Sequence, residues 1–216
     1  MRGPGRFKER FDGFVFDLDG TLVDTFVDIQ TAINLVRRDL SLPPLDLETV
    51  TLCVGNGARQ LVRKTIGDLD AGEEARLVGL FRTYYRQHLH DCSRLYPNVI
   101  STLDSLSGHK LAVLSNKPHE PCVELLRGLG ILDRFLIVRG QDDRWPSKPD
   151  PQSLLFIVRD VFQTVPERTL MVGDWDTDVF TARNAGMPCA IVRTGMSRFM
   201  GAVPDWYLDD IVELSR

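Results

Sequence analysis

Residues 14–25 read Phe14-Val15-Phe16-Asp17-Leu18-Asp19-Gly20-Thr21-Leu22-Val23-Asp24-Thr25. The apolar run Phe14–Phe16 stops at two carboxylates two positions apart, followed by a glycine. A short apolar run closed by a polar turn is the pattern of a strand buried on both faces. Two acids at the end of such a strand repel and raise each other's pKa. A cation between them would relieve that cost. Gly20 allows a backbone turn that most residues resist.

Working outward, four later runs share this form: Leu111–Leu114, Phe135–Val138, Leu170–Val172 and Cys189–Val192. All are short, aliphatic and non-alternating, as in a parallel sheet covered on both faces. Helical stripes separate them. Val99, Leu103 and Leu106 fall on one face; Val123, Leu126 and Leu129 form a second stripe, ending at Gly130; Leu154, Leu155, Val158 and Val161 form a third. Strand–helix alternation predicts a doubly wound, Rossmann-like α/β core.

Residues 21–94 break the rhythm with a stretch that predicts no strand. Phe26, Ile29, Ile33, Val36 and Leu40 recur at helical spacing until Pro43-Pro44, where proline stops a helix. Leu61, Val62 and Ile66 predict a second helix after Gly55-Asn56-Gly57, and Leu77, Leu80, Phe81, Tyr84, Tyr85 and Leu89 a third. The expected organisation is a core of residues 1–20 and 95–216 with a helical cap inserted at 21–94.

The 216 residues are 43% hydrophobic and 26% charged, which excludes a disordered or fibrous chain. A formal net charge of −4 gives no general attraction to nucleic acid or an anionic membrane. An anionic substrate must therefore be met locally, by a metal, a lysine or backbone N–H groups. No apolar run approaches the length of a membrane span. Met1 to Arg10 carries Arg2, Arg6, Lys8 and Arg10 and reads as a frayed tail rather than a leader. The expectation is a cytoplasmic protein, monomer or homodimer. Cys53, Cys92, Cys122 and Cys189 read as buried free thiols. His88, His90, His109 and His119 show no metal-ligand grouping.

Four segments then carry a resemblance. Asp17-Leu18-Asp19-Gly20-Thr21 resembles the first motif, DxDGT, of the haloacid dehalogenase superfamily. Leu114-Ser115-Asn116-Lys117-Pro118 resembles the second, a strand ending in Ser or Thr; Lys148-Pro149-Asp150-Pro151 the third; Val172-Gly173-Asp174-Trp175-Asp176-Thr177-Asp178 the fourth, of the GDxxxD type. Within that superfamily, Val54-Gly55-Asn56-Gly57-Ala58-Arg59-Gln60-Leu61-Val62, Tyr96-Pro97-Asn98-Val99 and Leu129-Gly130-Ile131 look most like phosphoglycolate phosphatases.

The resemblance implies a Mg2+-dependent phosphatase of small phosphate monoesters. Asp17 would attack phosphorus to give an aspartyl-phosphate. Asp19 would protonate the leaving alcohol and then deprotonate water, although an ordinary aspartate pKa is about 3.9. Asp17, the Asp19 carbonyl and Asp174 would hold the metal, with Asp178 beside it, directly or through water, and Asp176 competing for that place. Lys148 would neutralise the phosphoryl group, and Ser115 and the Asn116 N–H would hydrogen-bond its oxygens. Gly55, Asn56, Gly57 and Arg59 read either as a helix-start turn or as a substrate-facing loop whose N–H groups and arginine reach a carboxylate. Asp24 and Thr25 read as caps of the first cap helix. Alternatives from the same superfamily are a phosphomutase and a sugar-phosphate or pyrophosphate phosphatase; a non-catalytic phosphate-binding module is a third class. Trp175 departs from the small residue that many relatives carry there, and would narrow the pocket or pack under the cap. Gln141 to Ser147 makes a long polar approach to Lys148, where Arg144 and Trp145 would touch substrate or cover the loop.

Overall fold

The structure, a computed structural model, describes residues 6–142, 144–194 and 201–216. Arg2 of the basic terminus and Asp143 of the approach loop lie outside the described residues.

The chain opens with a short helix α1 (Phe7–Arg10), strand β1 (Gly13–Phe16) and the two-residue β2 (Val23–Asp24). Four helices follow: α2 (Phe26–Asp39), α3 (Leu47–Thr51), α4 (Gly57–Ile66) and α5 (Ala71–Gln87). After β3 (Arg94–Leu95) come α6 (Val99–Ser105), β4 (Lys110–Pro118), α7 (His119–Gly128), β5 (Ile137–Gln141) and α8 (Gln152–Phe156). The chain ends with β6 (Thr169–Gly173), α9 (Asp176–Asn184), β7 (Cys189–Val192) and β8 (Trp206–Leu208).

Six strands form one sheet in the order β5-β4-β1-β6-β7-β8, and every neighbouring pair is parallel. This is the expected α/β core. Its central strand alternates between two cores: Phe14 and Phe16 pack on one face and Val15 on the other, all fully buried. The chain runs from β1 to β4 and β5 on one side, then returns to β6 on the other. The C-terminal ends of β4, β1 and β6 therefore flank a switch in strand order, where an open α/β sheet leaves a crevice.

Register decides what reaches that crevice. Phe16 pairs with Val113 and with Val172. Asp17 is therefore level with Leu114 and Gly173, and Ser115 and Asp174 stand one residue further along on the two neighbouring strands. The β4–β5 ladder shifts register between Leu114 and Pro118, so Ser115 to Lys117 escape regular pairing on that side.

Several expectations are corrected. Phe7 and Phe11 are buried and pack edge-on against Trp206, so the described part of the N-terminus is docked rather than frayed. The inserted stretch does contain a strand: Val23 and Asp24 pair antiparallel with Leu95 and Arg94, tying its exit to its return. The α3 helix lacks an apolar stripe long enough to show by periodicity; its start is fixed by Asp46, whose carboxylate accepts from Thr49 N–H at 2.7 Å. On α7 the fully buried stripe is Cys122, Leu125 and Leu126 rather than Val123, Leu126 and Leu129. After α8 the chain makes a π turn over Ile157–Val161, which brings Ile157 rather than Leu155 inward. Phe135 precedes the strand that begins at Ile137 because a 3-10 turn occupies Leu132–Arg134. All four cysteines are free, and only Cys122 and Cys189 are buried. Among the described residues no helix is long and apolar enough to cross a membrane.

Candidate active site

Asp17 continues directly from β1, and its N–H donates to Val172 O at 2.8 Å. Asp174 ends β6 in the same way. One carboxylate oxygen from each of Asp17, Asp174 and Asp178 lies within 4.8 Å of the others, and all three residues are buried. Asp176 is not in this cluster, which separates it from Asp178.

Lys148 answers the cluster. Its Nζ lies 2.9 Å from Asp17 Oδ1 and donates to Asp178 Oδ1 at 2.7 Å. The other oxygen of Asp178 accepts from the N–H groups of Asp174 and Trp175, both at 3.2 Å. Asp178 thus caps the start of α9 while anchoring the lysine. Thr21 Oγ1 donates to Asp174 Oδ1 at 3.1 Å.

Burial is the largest cause of a raised Asp17 pKa, opposed by Lys148 and reinforced by Asp178, and the result is about 6. Burial, then Asp17 and Asp178, pushes Asp174 well above the usual carboxylate range. Burial works to lower Lys148, but Asp17 and Asp178 outweigh it and hold its pKa above the ordinary lysine value. Three buried acids facing one lysine are a costly arrangement for folding. A divalent cation among these oxygens would offset it, so the donor set fits one: hard oxygen ligands suit Mg2+.

Asp19 is only partly buried, and both its oxygens are occupied. Thr25 Oγ1 donates to Oδ1 at 2.7 Å, and Lys117 Nζ lies 3.0 Å from Oδ2. Thr25 therefore binds a predicted site residue instead of capping α2, where its side chain makes no cap bond. Lys117 was not singled out in the sequence. It is buried, and it also donates to the Tyr85 hydroxyl of α5 at 2.8 Å. The available signal was strand alternation, since residue 117 shares a face with 115. Tyr85 itself read as part of an apolar stripe.

Ser115 and Asn116 are buried beside this group. Ser115 Oγ accepts from Lys117 N–H at 3.3 Å. The Asn116 amide bonds to backbone groups of Lys148 and Gly55.

A cavity of about 890 Å³, counted out to open solvent, separates this cluster from the inserted helices. Its walls include Asp17, Asp19, Ser115, Lys148 and Asp174 from the sheet side and Phe26, Phe81, Arg82 and Tyr85 from the helical side. Gly55 and Gly57 line it and sit against the core: a Cβ on Gly55 would lie 3.3 Å from Trp175 Cδ1, and one on Gly57 3.3 Å from Asn116 O. Trp175 therefore packs under the loop. Thr177 Oγ1 donates to Asn56 Oδ1 at 3.3 Å.

Arg59 does not join the others. It is exposed, pairs with Glu74 at 3.1 Å and is absent from the cavity wall. The arginine of the helical side that does line the cavity is Arg82. Arg144 pairs with Asp142, and Trp145 stacks on Phe156 and Arg139; both stay out of the cavity wall.

Comparison with known proteins agrees with this fold. The model of the haloacid dehalogenase-like hydrolase family matches residues 14–192. A phosphoglycolate phosphatase of Agrobacterium fabrum is 34% identical over 209 residues, 93% of this chain and 89% of its own length. One of Aquifex aeolicus is 33% identical over 205 residues, covering 93% and 94%. The crystal structure of a predicted phosphoglycolate phosphatase from Haemophilus somnus superposes with a TM-score of 0.87 at 31% identity, covering 95% of this chain and 96% of that one.

Proposed function

The chain belongs to the haloacid dehalogenase-like hydrolases and is a phosphoric monoester hydrolase, and we propose that it hydrolyses small phosphate monoesters, phosphoglycolate first among them, through a phosphorylated Asp17. The observation that carries this reading is Lys148 Nζ bridging Asp17 and Asp178 inside a cluster completed by Asp174.

In the first step an Asp17 oxygen forms a bond to phosphorus while the bond to the leaving oxygen breaks. Asp19 gives its proton to that oxygen, releasing an alcohol. In the second step Asp19 takes a proton from water, the water oxygen bonds to phosphorus, and the bond to Asp17 breaks to free inorganic phosphate. One slow hydrolysis becomes two easier displacements. Lys148, Ser115 and the Asn116 N–H balance the charge on the phosphoryl oxygens. Asp17, Asp174 and the Asp19 carbonyl would hold Mg2+, with Asp178 contributing through its grip on Lys148. When bound, the ion offsets the repulsion between an anionic nucleophile and an anionic ester.

Residues 21–94 act as the cap in this account. They cover the cavity, exclude bulk water and meet the leaving group. The leaving group of phosphoglycolate carries a carboxylate, and Arg82 and Lys117 are the cap-facing cations of the cavity wall. Arg82 makes no ion pair or hydrogen bond among the described residues, so its guanidinium is available to such an anion.

The deciding experiment is phosphate release from a panel of phosphorylated metabolites with and without Mg2+, using Asp17→Asn as control. Mg2+-dependent release that the variant lacks supports the reading. Release at the parental rate by Asp17→Asn removes it, and isomerised sugar phosphate without free phosphate replaces it with a mutase.

A further inference from the structure

We propose that the Asn116 side chain couples the seating of the Gly55-Asn56-Gly57 loop to the placement of Lys148. The inference rests on the reading of Lys148 as a phosphoryl-neutralising residue, but its geometry stands without it.

Asn116 follows Ser115 at the end of β4 and is 5% exposed. Its Oδ1 accepts from the Lys148 N–H at 2.8 Å, and its Nδ2 donates to Lys148 O at 3.1 Å. One amide thus engages both polar groups of the Lys148 backbone, as a neighbouring strand would, and steadies the residue whose ammonium meets Asp17 and Asp178. The second N–H of Nδ2 donates to Gly55 O at 3.0 Å. A carboxamide has two N–H donors, and here each has its own carbonyl, one on the lysine loop and one on the cap loop.

The cap loop is set for this contact. Gly55 and Gly57 have φ of +110° and +81°, conformations open to glycine and strained for other residues. The loop is also held by the start of α9, through Trp175 under Gly55 and Thr177 at Asn56. When the loop lifts, a buried Nδ2 donor loses its partner, and leaving a buried donor unpaired is costly. The amide then has to turn toward another acceptor, which loosens its hold on Lys148. With the loop down, all three bonds form together. Lys148 is fully positioned only over a covered cavity, so closure completes the charge arrangement around the phosphoryl group. Asn116 is in this sense a positioning residue acting through Lys148.

The test is hydrogen exchange of the Lys148 amide, whose N–H is the one donated to Asn116, in the full-length protein with Mg2+ and no substrate. Gly55→Ala unseats the loop with Asn116 intact, since its Cβ meets Trp175 and its φ is unfavourable. It should speed Lys148 exchange by about 2- to 10-fold, the range of one neutral hydrogen bond. In an Asn116→Ala background exchange should already be fast, and adding Gly55→Ala should change it no further. Thr177→Val, which releases Asn56 from the core side, gives the same comparison if Gly55→Ala folds poorly. Unchanged exchange at Lys148 on unseating the loop, or an equal increment in both backgrounds, overturns the coupling. Because exchange is read without turnover, the coupling holds or fails separately from the identity of the ester hydrolysed.

Discussion

The Lys117 ammonium lies 3.0 Å from Asp19 Oδ2, joining the proposed acid–base to a lysine of β4. The same ammonium donates to the Tyr85 hydroxyl on α5. Burial works against a charged Lys117, yet Asp19, with Tyr85 and Cys122, outweighs it and holds the pKa above the ordinary lysine value. Lys117 is therefore charged throughout the working pH range and stands between Asp19 and α5. Removing one partner of a buried pair leaves the other uncompensated. Lys117→Met should lower kcat by roughly 10- to 100-fold, whereas Tyr85→Phe, which deletes one hydrogen bond, should cost about 2- to 10-fold. Steady-state kinetics on one substrate compare the two. Parental kcat in Lys117→Met would sink the assignment.

A second prediction concerns stability. Asp17 has its pKa raised from 3.8 to about 6, chiefly by burial. A carboxyl with a higher pKa folded than unfolded binds its proton more tightly when folded. Its favourable contribution is present below pH 4 and is lost as pH rises through about 6. Above that, keeping Asp17 ionised in the metal-free fold costs a few kcal/mol, at about 1.4 kcal/mol per pH unit of displacement. In EDTA at pH 7.5, Asp17→Asn should therefore resist urea better than the parent, and the difference should close near pH 4. Mg2+ should narrow the gap by stabilising the parent more. A parent more stable than Asp17→Asn in EDTA at pH 7.5 would falsify the sign.

Much of this was legible in the chain because strands and their terminal acids leave local marks. Phe14–Phe16 and Leu170–Val172 are short apolar runs; Asp17 follows the first directly, and Asp174 follows the second after Gly173. What stayed hidden depends on contacts remote in sequence. Lys117 matters because α5 brings Tyr85 to it, and no spacing reports that. Arg59 looked apt as an anion binder one turn into α4, yet buried Glu74 on α5 draws it away together with Arg63. The β2–β3 ribbon has two residues per strand, too short for any periodicity. Trp175 broke the family pattern in a way the sequence left open, and the close approach of Gly55 explains where its bulk goes.

The contrast between two arginines gives a third prediction. Arg82 lines the cavity, while Arg59 is paired outside it. If the substrate carries a carboxylate on its leaving group, Arg82→Ala should raise KM for that substrate by roughly 10- to 100-fold, as for loss of a charge-assisted hydrogen bond. Arg59→Ala should change it by less than about 3-fold, since the exposed Arg59 guanidinium lies outside the cavity wall and Glu74 keeps Arg63 as a partner. Measuring both variants on phosphoglycolate and on a phosphate ester with an uncharged leaving group isolates the carboxylate. A larger effect from Arg59→Ala would return the anion site to the α4 loop.

The last prediction turns on the glycine of the first motif. Gly20 has φ +87°, and a Cβ there would lie 2.2 Å from Asp174 Oδ2. Backbone strain at such a position costs about 1–3 kcal/mol for a non-glycine residue. The clash adds a second, local effect, because the carboxylate displaced belongs to the acid cluster and its other oxygen, Oδ1, accepts from Thr21 Oγ1. Gly20→Ala should thus fold with a lower Tm and also need more Mg2+ for half-maximal activity, by about 10-fold or more if one ligand is misplaced by such a clash. Strain alone would lower Tm and leave the Mg2+ requirement where it was. Titrating Mg2+ at a temperature where the variant is fully folded separates the two. An unchanged midpoint would mean that Asp174 does not hold the ion, and the metal would then have to be sought on Asp17 and Asp178 alone.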